Sequence, residues 1–138
     1  YLTHKFDSGM KLVKKGKKIV IFSTGYMTQK SLDIIKNLKK YKLHPTLIDV
    51  FKIKPFNKDL AKKIISKAHL VVTLEEQNIL GGLGSIISET IAENQLKVKL
   101  IKFGIKDSYA KLYGDRDWLH NYHKMSIKHI QKSILKNI

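Results

Sequence analysis

The chain has 138 residues, with 27 Lys and Arg against 11 Asp and Glu, which gives a formal net charge of +16. This length suits one domain with a real core, and a hydrophobic content of 43% argues against disorder. The absence of cysteine excludes disulfides, thiolate metal ligands and a cysteine nucleophile. No apolar run approaches the roughly 18 residues of a membrane span, and residues 1–15 lack the apolar stretch of a signal peptide.

The first part of the chain predicts two strands joined by a tight turn. Residues 10–13 form the first strand, residues 15–17 the turn, and Ile19–Ser23 the second strand, which begins with a continuous apolar run from Ile19 to Phe22. Strands joined this tightly must run antiparallel, because a parallel pair needs a crossover of about a dozen residues. The first strand is therefore expected to be a charged edge strand.

From there helices and strands alternate. Strands are predicted at 46–51, 69–74 and 98–103, and helices at 28–42, 58–68, about 81–94, 116–122 and 127–136, with Asn57 and Ser126 as helix caps. Such a βαβ series predicts an α/β fold with three layers, α/β/α. We expect one domain over residues 1–138, with a five-stranded mixed sheet of four parallel strands and one antiparallel edge strand.

The positive charge is carried almost wholly by lysine, since Arg116 is the only arginine. Bidentate recognition of phosphates and bases favours arginine, and the lysines are spread along the whole chain. We interpret them mostly as solvated faces and expect neither a nucleic-acid nor a membrane partner. Binding to acidic partners or phosphorylated metabolites stays open.

Functional loops in such sheets lie beyond the carboxyl ends of the parallel strands. Thr24 and Gly25 follow the second strand, residues 51–56 the third, and Glu75 and Glu76 the fourth. Adjacent carboxylates could act as acid and base. They could instead partner a nearby helix start or form an inter-domain salt bridge, and the absence of a neighbouring nucleophile or histidine in the sequence favours this second interpretation.

A glycine-rich segment opens the helix that follows these glutamates. It contains Gly81, Gly82, Gly84 and Ser85, and backbone N–H groups at a helix start can bind an anion. It lacks the third glycine and the later acid of a dinucleotide fingerprint, and it has no Walker A lysine. Close packing of the helix on the sheet is the other interpretation, and an anion or interface role stays open beside it.

Two features near the carboxyl terminus have both structural and functional interpretations. The His120-x-x-His123 spacing could hold a metal, although surface histidines are the simpler interpretation without a third ligand. Aromatic residues also gather here, which is typical of core or interface packing; they are Tyr109, Tyr113, Trp118 and Tyr122.

The order of the segments resembles the C-terminal domain of the transketolase family, which includes transketolase, deoxyxylulose-phosphate synthase and 2-oxo-acid dehydrogenase beta-subunit types. The matching segments cover nearly the whole chain; they are residues 16–19, 21–25, 48–55, 74–85 and, more weakly, 103–107 with Gly114. The block of Glu75-Glu76 followed by Gly81-Gly82-Leu83-Gly84-Ser85 is the most specific of them. The resemblance implies the same fold, with the first strand antiparallel.

The resemblance also implies a function. The family's enzymes are cytoplasmic transferases that move two-carbon ketol or acyl groups between sugar phosphates or 2-oxo acids on thiamine diphosphate. That cofactor and Mg²⁺ are held by other domains across a dimer interface, through a Gly-Asp-Gly motif that Gly114-Asp115-Arg116 does not match. We therefore expect no catalytic, metal or cofactor-binding residue in this chain, and no activity or cofactor in the isolated domain.

The expected role is a non-catalytic domain that supports homodimerisation and one wall of the active-site region. Its partners are then the cofactor-binding domains or subunit of the same enzyme. Because the chain begins at Tyr1 rather than Met, we expect a fragment of a longer enzyme or a subunit piece, with apolar surface exposed near the strand-end loops and residues 109–122. The alternative is a stand-alone module that binds a phosphorylated ligand or regulator at residues 81–85.

Overall fold

The computed structural model describes residues 6–109 and 111–138. Five strands form one sheet; they are β1 (Met10–Lys14), β2 (Ile19–Ser23), β3 (Thr46–Val50), β4 (Leu70–Asn78) and β5 (Lys99–Ile105). Five α-helices accompany them; they are α1 (Tyr26–Leu38), α2 (Lys58–Ile65), α3 (Leu83–Glu93), α4 (Arg116–Tyr122) and α5 (Ile127–Lys136). Short 3₁₀ turns lie at Phe6–Ser8 and Lys39–Tyr41.

The sheet has the strand order β1-β3-β2-β4-β5. β2, β3, β4 and β5 run parallel, and β1 pairs antiparallel with β3 at one edge. The predicted fold class, a mixed sheet of four parallel strands with one reversed edge strand, is confirmed. β5 lies at the other edge, as the lysines in its sequence indicated.

The alternation of side chains along β2 divides the core into two halves, one on each face of the sheet. Ile19 and Ile21 belong to the half that contains α1 and α5, whereas Val20 and Phe22 belong to the half that contains α2 and α3. All four are buried. The apolar run of β2 is therefore explained by helices that cover both faces of the sheet, which gives the three layers.

The partner of β1 differs from what the short turn suggested. β1 does not form a hairpin with β2 but pairs with β3, which lies between them. Residues 15–18 cross over the start of β3. Four extended residues are long enough for this, because next-nearest strands are only about 10 Å apart. Gly16 makes this possible: its N–H donates to Thr46 Oγ1 at 3.0 Å, and a Cβ there would collide with the backbone of His44 and Pro45.

Several element boundaries differ from the predicted ones, and one difference affects the site. β4 does not end at residue 74 but continues to Asn78, so Glu75 and Glu76 lie within it. The pairing of β4 with β5 is irregular between Leu74 and Asn78. The helix predicted at 28–42 spans Tyr26–Leu38, and α2 ends at Ile65 rather than at residue 68.

The predicted helix caps are confirmed in position. Asn57 Oδ1 accepts the N–H of Leu60 at 3.0 Å at the start of α2. Ser126 precedes α5, but its hydroxyl pairs with His129 Nδ1 at 2.7 Å and makes no capping bond to the backbone. Among the residues that the structure describes, none of the helices has the length and apolar character that crossing a membrane requires.

Candidate functional site

The carboxyl ends of β2 and β4 bring the predicted site residues together. Thr24 N–H donates to Leu74 O at 3.2 Å, which places the loop after β2 directly beside the end of β4. Gly25 is the N-cap residue of α1. The loop of Thr24 and Gly25 therefore adjoins Glu75, as expected for neighbouring parallel strands.

Glu75 caps the start of α3. Its side chain is fully buried, and its two carboxylate oxygens accept the N–H groups of Leu83 and Gly84, each at 2.8 Å. A negative charge at a helix N-terminus is stabilised by the unpaired N–H groups and the helix dipole. The interpretation of Glu75 as a helix partner is confirmed, and the anion at this helix start is the chain's own carboxylate.

The glycines at this helix start let it approach the sheet. A Cβ on Gly82 would collide with the Glu75 carboxylate, and one on Gly84 would lie 3.0 Å from Thr73 Oγ1 and 3.1 Å from Glu75 Oε1. The geometry therefore supports the packing interpretation. Gly81 N–H donates to Ser85 Oγ at 2.9 Å, which closes the loop on itself.

Glu76 faces the opposite side of the sheet from Glu75, because successive strand residues point to opposite faces. Its Oε1 lies 2.8 Å from His120 Nε2 and 3.2 Å from Arg116 Nε. The two glutamates therefore do not form an acid/base pair with each other. The predicted salt bridge exists at Glu76, but within the domain, since both of its partners belong to α4.

A buried lysine extends this arrangement. Lys30 of α1 is 8% exposed, and its Nζ lies 2.6 Å from His120 Nδ1 and 3.5 Å from Asp117 Oδ1. An ammonium group can only donate, so Nδ1 accepts and the ring proton resides on Nε2, which donates to Glu76. Lys30, His120 and Glu76 thus form a continuous hydrogen-bonded chain from α1 through α4 to β4.

The environment of His120 favours its neutral form. Burial lowers the pKa of His120 below its ordinary 6.5, the nearby Lys30 charge lowers it further, and the Glu76 carboxylate opposes both effects. Burial disfavours the charged form of the imidazole ring because a buried ring loses the water that would solvate its charge. The interpretation of His120 as a surface histidine is wrong: it is 6% exposed and bonded through both ring nitrogens.

Arg116 completes the group that we call the edge cluster, which consists of Tyr26, Lys30, Glu76, Arg116 and His120. The guanidinium carbon of Arg116 lies 4.3 Å from the centre of the Tyr26 ring, in cation–π geometry. The Tyr26 and His120 rings are 5.9 Å apart. The cluster borders a cavity of about 280 Å³ that Leu119 and His123 also line.

A second polar group anchors the start of α1. Thr28 Oγ1 donates to Asp49 Oδ1 at 2.7 Å and lies 2.9 Å from Ser23 Oγ. Neither this group nor Lys30 was predicted, because one lysine among many in a basic chain gives no signal of burial. Within residues 6–109 and 111–138, no group of three or more His, Asp or Glu side chains could hold a metal ion.

The aromatic residues of the carboxyl-terminal part lie on the surface. Trp118 and Tyr122 of α4 stack with ring centres 5.6 Å apart and are 44% and 57% exposed. Tyr109 and Tyr113 are almost fully exposed. These side chains are therefore not core residues, and the expected apolar surface near residues 109–122 is confirmed.

Replacing the buried cap is predicted to destabilise the fold. Glu75→Gln keeps the shape but removes the charge and turns one acceptor into an N–H donor that faces a backbone N–H. We expect a loss of about 1–3 kcal/mol in the free energy of unfolding, measured by urea denaturation. Glu89→Gln, an exposed change on the same helix, is the control and should alter it by less than about 0.5 kcal/mol. Equal effects of the two changes would refute the cap.

Acidification is predicted to destabilise the chain through His120. Because the folded state lowers the pKa of His120 below 6.5, the unfolded chain takes up more protons below that pH. The contribution of His120 is therefore complete above about pH 6.5 and is lost as the pH falls. We expect wild-type unfolding free energy to fall more between about pH 7.5 and 5.5 than that of His120→Gln.

The control for this pH dependence is His129→Gln, which removes an exposed histidine. It should keep the wild-type dependence of unfolding free energy on pH. An identical pH dependence in wild type and His120→Gln would show that the buried ring does not titrate differently in the folded state.

Comparison with known proteins assigns the chain to a family. Residues 8–130 match the family model of the transketolase C-terminal domain. The 1-deoxy-D-xylulose-5-phosphate synthase of Caldanaerobacter subterraneus subsp. tengcongensis is 30% identical over 122 residues, which cover 88% of this chain and 20% of that protein. A putative transketolase C-terminal section from Methanocaldococcus jannaschii is 30% identical over 128 residues, which cover 93% of this chain and 39% of that protein.

Solved structures show the same fold. A split-gene transketolase, described as an inactive beta4 tetramer, superposes with a TM-score of 0.85 at 25% identity, over 96% of this chain and 43% of its own. Transketolase from Campylobacter jejuni superposes with a TM-score of 0.69 at 16% identity, over 96% of this chain and 19% of its own. This chain thus spans a fifth of the synthase and less than half of the split-gene protein. The chain belongs to the transketolase C-terminal domain family.

Proposed function

We propose that this chain is the non-catalytic C-terminal domain of a thiamine-diphosphate-dependent transketolase-like enzyme. The enzyme would transfer two-carbon ketol or acyl groups between sugar phosphates or 2-oxo acids. The domain would support dimer assembly and form part of the wall of the active-site region. The sequence relatives support this proposal, since they include a deoxyxylulose-phosphate synthase and a putative transketolase C-terminal section. A structural neighbour is a split-gene transketolase described as an inactive beta4 tetramer.

The observation that carries the proposal is an exposed aromatic surface at the carboxyl edge of the sheet. We call Trp118 and Tyr122 the aromatic edge; their rings stack on each other and are 44% and 57% exposed. Aromatic residues are enriched where proteins meet, since their rings contribute large apolar area at low entropic cost. Such a surface beside strand-end loops fits contact with another domain or subunit.

The edge cluster gives this surface a fixed position. Trp118 and Tyr122 lie four residues apart on α4, one helical turn. The same helix is held to the sheet through the contacts of Arg116 and His120 with Glu76. The contacts with Glu76 therefore set the orientation of α4. In that orientation the rings of Trp118 and Tyr122 face outward.

The Gly114-Asp115-Arg116 segment does not fit a site for the cofactor's diphosphate and Mg²⁺. Asp115, the acid of the Gly114-Asp115-Arg116 segment, caps α4 by accepting the N–H of Trp118 at 2.8 Å. Arg116, next to it, pairs with Glu76. We therefore expect thiamine diphosphate and Mg²⁺ to be held by residues outside this chain, and no catalytic step is assigned to its side chains.

Truncating the aromatic edge is predicted to weaken assembly with the cofactor-binding polypeptide. In the co-expressed complex, Trp118→Ala and Tyr122→Ala should each weaken association at least about tenfold, since aromatic anchors at interfaces commonly contribute about 2 kcal/mol or more. Association is measured by analytical ultracentrifugation, and ketol transfer should fall in parallel at low protein concentration.

The matched control is Tyr41→Ala, which removes an exposed tyrosine of the 3₁₀ turn that follows α1, far from the carboxyl edge. It should leave association and turnover unchanged. Thermal unfolding midpoints of the isolated variants show whether the fold is intact. If folded Trp118→Ala and Tyr122→Ala chains associate as tightly as wild type, the aromatic edge is not the interface.

A further inference from the structure

A groove of about 680 Å³ lies at the opposite end of the sheet, where the parallel strands begin. Its apolar lining comes from three strands and one helix; the residues are Leu12 of β1, Val20 of β2, Ile48 of β3, and Leu60 and Ile64 of α2. This volume is in the range of sites that bind ligands or peptide side chains. Leu12, Leu60 and Ile64 are only partly buried, so the groove leaves apolar surface open to water.

Lysines border this apolar surface on two sides. Lys15, Lys17 and Lys18 belong to the link between β1 and β2, whereas Lys63 lies in the last turn of α2 and Lys67 just beyond its end. All five are exposed, and the lining of the groove includes no acidic residue. Across the described part of the chain, no carboxylate forms an ion pair with any of these five ammonium groups.

Five like charges around one groove repel one another and give it a positive potential that no carboxylate of its lining offsets. Lys63, in the last turn of α2, and Lys67, two residues beyond its end, border the groove on the helix side. A partner with carboxylates would relieve this repulsion and would bury the apolar floor at the same time. Both properties of the surface therefore favour the same kind of ligand.

We propose that this groove binds an acidic amphipathic segment of another polypeptide. The apolar face of the segment would cover Leu12 and Ile64, and its carboxylates would pair with the lysines on both sides. Positive charge on two separate borders fits a segment with several carboxylates better than it fits one small anion. This inference does not depend on the proposed function, because the groove and the aromatic edge are at opposite ends of the sheet.

Other occupants fit the surface less well. A second copy of the chain would bring a further formal charge of +16 to an already basic surface. Single-stranded nucleic acid needs aromatic stacking platforms, and no aromatic residue lines the groove. An anionic membrane surface shares the required charge, and vesicle binding measured beside peptide binding distinguishes it from a polypeptide.

The test uses the whole chain and a labelled synthetic peptide of about 14 residues, roughly four helical turns. Leucines occupy one face of this peptide and glutamates border that face. Fluorescence anisotropy should show saturable binding that weakens as salt rises. The double variant Lys63→Glu with Lys67→Glu should bind about tenfold more weakly or worse, since two favourable charge pairs become repulsive.

The matched control is Lys128→Glu with Lys132→Glu, which makes the same charge change at the same spacing on exposed positions of α5. It should retain binding, and a peptide of the same composition with scrambled order should bind more weakly to wild type. Equal losses in the two double variants, or equal binding of the scrambled peptide, would overturn the proposal. So would binding of phosphatidylserine vesicles that depends on Lys63 and Lys67 in the absence of peptide binding.

Discussion

The buried bond between Glu75 and the start of α3 is the constraint on which the carboxyl edge of the sheet depends. The Glu75 carboxylate of β4 lies in the interior of the domain. Two backbone N–H groups donate to it, each at 2.8 Å, and so compensate for the water that it loses. An unpaired buried charge would be very costly, so the helix start must stay where it is. Gly82 and Gly84 are required beside it because any side chain there would occupy the space of the carboxylate or its neighbours.

On the other face of β4, Glu76 holds a different helix. Glu76 turns toward α1 and α4, where it meets His120 and Arg116. Two adjacent glutamates thus hold helices on opposite faces of the sheet, and the polar groups at this edge are mostly paired within the domain. What remains outward is the aromatic edge, a surface of the kind that proteins use to contact one another.

The sequence predicted much of the fold because apolar runs and breaks are local signals. The parallel strands, the reversed edge strand and α4 and α5 follow from such patterns. The pairing of β1 with β3 was missed, since a short link favours a hairpin and only the close backbone contact of Gly16 allows the crossing. The Lys30–His120–Glu76 chain was missed because its members are far apart in sequence and nothing local distinguishes a buried lysine in a basic chain.

We propose that the thiamine chemistry of the complete enzyme takes place on residues that this domain does not supply. The most direct test is a calorimetric titration of the isolated chain with thiamine diphosphate in the presence of Mg²⁺, repeated after the cofactor-binding polypeptide is added. We expect no binding heat from the chain alone and saturable binding once the partner is present. Micromolar binding by the isolated chain would contradict the account.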